Sequence, residues 1–149
     1  MAEVAANSAR ARGAARKLLV QALYQRQMTA QPWLELHSQY SADPTFGRAD
    51  PEYFRLALAA ICDDSAQLDL ELRQHSDIEP ARIDPVEHAI LFLGLWELMT
   101  RPDIPYRVVI NEAVELAKRF GATDGHRYVN AVLDKASRVH RGAERGEVA

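Results

Sequence analysis

The chain has 149 residues, which is the length of about one domain and is enough to bury a hydrophobic core. Apolar residues make up 48% of it, which excludes a wholly disordered chain, and its one cysteine excludes an intramolecular disulfide and is typical of the cytoplasm. The net charge of −3 is unevenly distributed along the chain. Residues 1–26 carry five basic side chains and one acidic one, and residues 117–141 carry six basic and two acidic side chains. Between them, residues 31–116 carry six basic and 16 acidic side chains.

The N-terminal part of the chain predicts one basic helix. Residues 1–9 are small and polar, and we expect them to be flexible. Over residues 10–29 the apolar residues recur at helical spacing, and Arg12 and Arg16 lie one turn apart at the edge of the apolar face. Arginine suits phosphate, because its planar guanidinium donates two hydrogen bonds at once.

The middle of the chain predicts shorter helices separated by proline and glycine. A short helix is expected over residues 33–40. Asp50 and Pro51 suit the N-cap and the first position of a further helix. The apolar stripe of that helix continues to Leu72, so we expect one bent helix. Cys62 lies in the stripe and is expected to be a buried structural thiol.

The most apolar helix is predicted over residues 86–100. It is apolar almost all round, so we expect it at the centre of the core, with Glu87 and Glu97 on its remaining polar strip. Its longest apolar block, residues 89–99, is too short to span a bilayer. The N-terminus lacks the apolar segment of a signal peptide, so a cytoplasmic protein with no membrane partner is expected.

Two further helices are predicted in residues 105–136, joined by a polar and basic corner. Gly121 follows the first of them, where a left-handed closing residue is expected, and Asp124 precedes the second as a candidate N-cap. The tail of residues 142–149 has no apolar pattern and is expected to be disordered. With about six to seven helices and no convincing strand, the sequence predicts an all-α bundle, with residues 10–141 as a single domain.

The sequence contains no pattern typical of an enzyme or a metal site. The five histidines show no HxxxH spacing, and a single cysteine cannot form CxxC, so neither a metal nor a cofactor is expected. There is no glycine-rich nucleotide-binding loop. Asp63 and Asp64 are more typical of a polar helix face than of a catalytic pair. The sequence therefore favours a binding protein over an enzyme.

Basic and aromatic side chains occur together near both ends of the chain. Tyr24 follows Arg16 and Lys17, and Tyr128 follows Arg127. Single-stranded RNA is commonly held by Arg and Lys on its phosphates and by aromatic rings under its bases. If the fold brings the ends together, they form one nucleic-acid footprint. The alternative is that the basic residues decorate solvated helix faces and that both tyrosines are packing residues.

Two stretches of sequence resemble a known family. IPYRVVINEAVELAKRFG (residues 104–121) followed by TDGHRYVNAVLDKA (residues 123–136) is similar to the C-terminal signature of the NusB family of bacterial transcription antitermination factors. ARKLLVQALYQRQM (residues 15–28) resembles the family's first helix, whereas residues 30–80 match only in helical pattern. The resemblance implies two small helical subdomains packed across one core.

The resemblance also implies an RNA-binding surface made of the N-terminal helix and the C-terminal corner. Gln21 and Asn130 suit the readout of base edges, and Asp124 takes an acidic position that modulates RNA affinity in the family. The candidate RNA-binding residues are Arg10, Arg12, Arg16, Lys17, Gln21, Tyr24, Asp124, Arg127, Tyr128 and Asn130. The interrupted run RARGAARK departs from the unbroken arginine run of some members, which implies weaker RNA binding alone and more dependence on a partner.

The function implied by the resemblance is non-enzymatic. Such a protein pairs with NusE, a small-subunit ribosomal protein, binds the single-stranded boxA element of nascent ribosomal RNA, and joins RNA polymerase with other Nus factors in an antitermination complex. Glu87 matches an acidic position that contacts NusE. The alternatives are a helical protein-interaction scaffold without specific RNA binding, a small helical nuclease, and an rRNA methyltransferase carrying a NusB-like domain. For the methyltransferase, the chain leaves no room for the cofactor-binding sheet.

Overall fold

The computed structural model describes the backbone of residues 2–146 and the side chains from Asn7 onward. This part of the chain contains seven α-helices, two 3₁₀ turns and no strand, which confirms the predicted all-α fold. The helices are α1 (Ala2–Thr29), α2 (Trp33–Ser41), α3 (Pro51–Asp63), α4 (Ser65–His75), α5 (Pro85–Thr100), α6 (Tyr106–Phe120) and α7 (Gly125–His140). None of these described helices is long and apolar enough to cross a membrane.

The chain divides into two compact helical units after Asp63, which confirms the expectation of two subdomains. In the N-terminal unit, α1 packs against α2 and α3. Helix α3 begins as predicted, because Pro51 is its first residue and the Asp50 carboxylate accepts a hydrogen bond from the Tyr53 amide at 3.0 Å. Cys62 is buried on α3, and burial raises the pKa of its thiol, as expected of a structural cysteine.

Helix α5 is the centre of the C-terminal unit. It contacts α4, α6 and α7, and all its residues from Leu91 to Leu98 are buried, which confirms its predicted central position. A Cβ atom at Gly94 would lie 2.7 Å from Leu133 Cδ1 on α7, so glycine permits the close approach of the two helices. The prediction that Glu87 and Glu97 lie on a polar strip of α5 is wrong, since they are only 7% and 1% exposed. Neighbouring helices cover α5 on the side of these two residues as well.

Two helix boundaries differ from the sequence prediction. Helix α1 begins at Ala2, so the described backbone of residues 2–9, expected to be flexible, is helical. The bent helix predicted to reach Leu72 is two helices, since the chain leaves helical geometry at Asp64 with φ −101° and ψ 16°. The apolar stripe continues across this break, and a continuous stripe does not reveal where one helix ends and the next begins.

Arg141, the first residue after α7, links the end of this helix to the connection between α5 and α6 in the C-terminal unit. Its buried guanidinium donates hydrogen bonds of 2.8–3.1 Å to four carbonyl oxygens around the α5–α6 connection, those of Glu97, Leu98, Arg101 and Ile104. Glu144 accepts a further hydrogen bond from Arg141 and one from the Tyr106 amide. Of the tail expected to be disordered, residues 142–146 therefore form turns that fold back on the unit, and residues 147–149 lie outside the described residues.

Candidate nucleic-acid interface

The exposed face of α1 carries four of the predicted RNA-binding residues. Arg10, Lys17, Gln21 and Tyr24 are spaced by seven, four and three residues, which places them in one stripe along the helix. All four residues are exposed, and Tyr24 is 40% exposed. The Gln21 side-chain amide donates to the Lys17 carbonyl at 3.1 Å. We call this stripe the α1 face. It combines two cations, an amide and an aromatic ring.

The two predicted arginines at positions 12 and 16 lie outside the α1 face. Arg12 is half-buried. Arg16 is only 2% exposed, and its guanidinium carbon lies 5.9 Å from the ring centroid of Tyr53 on α3. The expectation of Arg16 at the edge of the apolar face is therefore wrong, because this position packs between α1 and α3. A cation held over a ring inside the unit stabilises helix packing.

The corner between α6 and α7 carries the second group of predicted residues. Asp124 has a left-handed backbone with φ +65°, and its side chain does not cap α7. Gly121, expected to be the left-handed residue, has φ −89°, so that expectation is wrong. Arg127 Nε lies 3.8 Å from Asp124 Oδ1, with both side chains largely exposed, and Asn130 is exposed one turn further along α7. The acid thus offsets part of the charge that Arg127 offers to a phosphate.

Tyr128 is less available than its position in the corner suggests. Its side chain is half-buried, and its hydroxyl shares a hydrogen bond with the Ser76 hydroxyl, at the end of α4. Burial raises the pKa of the Tyr128 hydroxyl, and the nearby Glu87 carboxylate acts in the same direction. The hydroxyl is therefore held within the unit, and only the exposed part of the side chain is available to a ligand. Ser76 lies 52 positions from Tyr128, and no sequence pattern links them.

Glu87, the predicted partner-binding residue, lies beneath the start of α7. A Cβ atom at Gly125 would be 2.7 Å from the Glu87 carboxyl carbon, so only glycine fits the first position of α7 without displacing this carboxylate. Burial raises the pKa of Glu87, and the neighbouring Asp84 carboxylate raises it further. The structure thus places Glu87 in the packing of α5 against α7, close to Tyr128, with little surface of its own.

The comparisons with known proteins agree on one family. The model of the NusB family matches residues 13–138. A protein named Transcription antitermination protein NusB from Pseudomonas putida (strain W619) is 48% identical over 130 residues, which cover 87% of this chain and 78% of that protein. A protein of the same name from Marinobacter nauticus is 45% identical over 130 residues, which cover 87% of this chain and 82% of that protein.

A solved structure extends the likeness to three dimensions. The structure described as T. maritima NusB superposes with a TM-score of 0.80 at 27% sequence identity, and the match covers 92% of this chain and 97% of that one. The matched family model spans most of the chain, including α1 from residue 13 onward and the α6–α7 corner. The chain therefore belongs to the NusB family.

Proposed function

We propose that this protein is a non-enzymatic transcription antitermination factor that binds the boxA element of nascent ribosomal RNA together with NusE. The observation that carries the proposal is the α1 face, where Arg10, Lys17, Gln21 and Tyr24 are all exposed on one stripe of a helix. The relatives are each called Transcription antitermination protein NusB, and this name supports the proposal of a role in transcription antitermination.

The α1 face has the chemistry that single-stranded RNA requires. Arg10 and Lys17 supply cations for phosphates, Tyr24 offers an aromatic surface for stacking an unstacked base, and Gln21 has both a donor and an acceptor for a base edge. None of these side chains is needed for the buried core of the N-terminal unit, since all of them are exposed. The surface is therefore free to take a ligand without unfolding.

The α6–α7 corner is proposed as a second RNA-contacting surface, on the C-terminal unit. Arg127 and Asn130 are exposed there, and the exposed part of Tyr128 lies next to them on α7. Asp124 pairs with Arg127, so it is expected to weaken phosphate binding and to make the corner selective for an RNA that also contacts other residues. We keep Asp124 as the residue that modulates affinity.

The proposed protein partner is NusE, a basic ribosomal protein, and the acidic middle of the chain is proposed to face it. Glu87 is retained as the partner residue of this proposal. Because it is buried, we infer that it acts mainly by holding the start of α7 in the conformation that the partner meets. The resulting RNA and protein complex is proposed to join RNA polymerase and other Nus factors in the cytoplasm.

Fluorescence anisotropy of a labelled boxA RNA tests the proposal. The full chain is titrated with and without NusE, against a scrambled RNA of equal length and composition. We expect selective binding to boxA that becomes tighter when NusE is present. Equal binding to the two RNAs would reduce the α1 face to a generic electrostatic surface. Absence of binding with NusE present would favour the alternative of a helical protein-interaction scaffold.

A further inference from the structure

A cluster of two imidazoles and one carboxylate lies in the C-terminal unit, on residues that the proposed function does not use. Glu71 and His75 are four residues apart on α4, and His140 is the last residue of α7. His75 Nε2 lies 2.9 Å from Glu71 Oε1, and His140 Nε2 is hydrogen-bonded to the same oxygen. The three ligand atoms all lie within 4.8 Å of one another. We call this arrangement the Glu–His–His cluster.

We propose that the Glu–His–His cluster binds a divalent transition-metal ion, for which Zn²⁺ is the natural probe. Imidazole nitrogen and carboxylate oxygen are common protein ligands of Zn²⁺. Two imidazoles and one carboxylate supply three ligands of a tetrahedral site and leave the fourth position for water. The metal would link α4 to the end of α7, which are already in contact.

The hydrogen bonds in the cluster show that the Nε2 atoms of both imidazoles face the same carboxylate oxygen of Glu71. An ionised carboxylate only accepts hydrogen bonds, so both Nε2 atoms present a proton to Glu71 Oε1. A metal ion takes the place of these two protons, because each neutral imidazole then carries its single proton on Nδ1 and offers the Nε2 lone pair. The ring planes, inclined at 76° with centroids 6.3 Å apart, approach the shared oxygen from different directions.

The surroundings of the cluster leave it accessible to an ion. The His75 side chain is 6% exposed, whereas those of Glu71 and His140 are 21% and 22% exposed. They line an open depression of about 490 Å³ together with Lys135 and Arg138. Both cations oppose metal binding, although Arg138 is paired with Asp134 at 3.3 Å. We therefore expect an exchangeable ion, held less tightly than in a structural site with four protein ligands.

The sequence could indicate two of the three proposed ligands, Glu71 and His75, but not His140. A glutamate and a histidine four residues apart on one helix share a face, just as two histidines with HxxxH spacing do. The expectation of no metal site was based only on the spacing of histidines and cysteines, so it missed a glutamate–histidine pair. His140 is 69 positions from Glu71, and only the packing of α7 against α4 brings it to the cluster.

Isothermal titration calorimetry with ZnCl₂ tests the proposal on the full chain, freed of any affinity tag and treated with a chelator beforehand. His140→Gln is the principal variant, because its amide still donates a hydrogen bond to Glu71 but offers a poor metal ligand. His126→Gln is the matched control, since it lies on the same helix about 21 Å away along the axis. Glu71→Gln is a second variant of the cluster.

The expected result is one Zn²⁺ bound per chain in the wild type and in His126→Gln. Loss of a second-sphere contact alone commonly lowers metal affinity 10–100-fold, so His140→Gln and Glu71→Gln should lose at least about tenfold. Zinc should also raise the Tm of the wild type more than that of the two cluster variants, because only the folded site binds it and the variants bind it more weakly.

Two results would overturn the proposal. One is the absence of saturable one-to-one binding in the wild type. The other is an affinity in His140→Gln equal to that of His126→Gln, with circular dichroism showing both to be folded. Either outcome would leave the cluster as a hydrogen-bonded link between α4 and α7. Selective shifts of the His75 and His140 ring resonances on adding Zn²⁺ would instead assign the ligands directly.

Discussion

At the scale of single residues, arginine has two opposite roles in this chain. Arg16 and Arg141 are buried, one over the Tyr53 ring and the other among carbonyl oxygens, whereas Arg10 and Arg127 are exposed. The sequence placed Arg16 with the exposed RNA-binding residues and counted Arg141 in the basic C-terminal segment, because charge and spacing do not distinguish the two roles. Only the tertiary neighbours of each guanidinium decide the outcome, and these are many positions away.

Arg141→Ala should destabilise the C-terminal unit strongly. The change leaves four buried or partly buried carbonyl oxygens without their common donor, and hydrogen bonds to a charged group contribute about 1.5–3 kcal/mol each. Since these losses are not additive, we expect a decrease of about 3 kcal/mol or more in the free energy of unfolding, measured by urea denaturation. The control is Arg138→Ala, an exposed arginine on α7, for which a change within about 0.5 kcal/mol is expected. Similar losses in both variants would contradict the anchoring role.

The buried Glu87 predicts a pH dependence of stability. Its pKa is raised in the folded chain by burial and by Asp84, so the folded state holds this proton more tightly than the unfolded state does. The contribution of the protonated group is fully present below the unfolded pKa, near 4.5, and is lost as the pH rises through the higher folded pKa. The difference in unfolding free energy between the wild type and Glu87→Gln should therefore shift against the wild type as the pH rises through this range. A constant difference across the series of urea titrations would contradict the assignment.

At the scale of helices, the periodicity of apolar residues predicted the positions of most helices. Helices α2, α5, α6 and α7 begin and end within a few residues of their predicted bounds, and the Asp50–Pro51 start of α3 is confirmed. The break between α3 and α4 and the burial of Glu97 were missed. Periodicity describes one helix at a time, and both features depend on what packs against it.

The crossing of α5 and α7 can be tested with a double-mutant cycle. Gly94→Ala adds a methyl group within 2.7 Å of Leu133 Cδ1, and overpacking of a core commonly costs about 1–3 kcal/mol. Leu133→Ala alone should cost about 2–5 kcal/mol, because Leu133 is fully buried. In the double variant the alanine methyl groups share the space, so the combined loss in unfolding free energy should be smaller than the sum of the single losses. Strict additivity would show that the two positions do not meet.

At the scale of the whole molecule, the predicted RNA-binding residues fall on both units. The α1 face lies on the N-terminal unit, and the α6–α7 corner lies on the C-terminal unit. The resemblance to the NusB family pointed to both, and the geometry then separated the exposed members, such as Lys17 and Arg127, from Arg16, which packs inside the unit. A test of RNA binding should therefore change one exposed cation on each unit and leave Arg16 intact, because its loss would alter stability as well as charge.

The salt dependence of RNA binding gives that test. Each cation that neutralises a phosphate of a single strand contributes about 0.7 to the slope of log affinity against log salt concentration, so Lys17→Ala with Arg127→Ala should reduce the slope by about 1.4. The control is Arg55→Ala, an exposed arginine on α3 that is paired with Glu52, and its slope should equal that of the wild type. The slopes come from anisotropy titrations with boxA RNA and NusE at several salt concentrations. If the double variant binds more weakly with an unchanged slope, the two residues act through conformation and not through phosphate contacts. If Arg55→Ala lowers the slope equally, the RNA responds to the total charge of the protein, and the α1 face and the corner have no special part in binding.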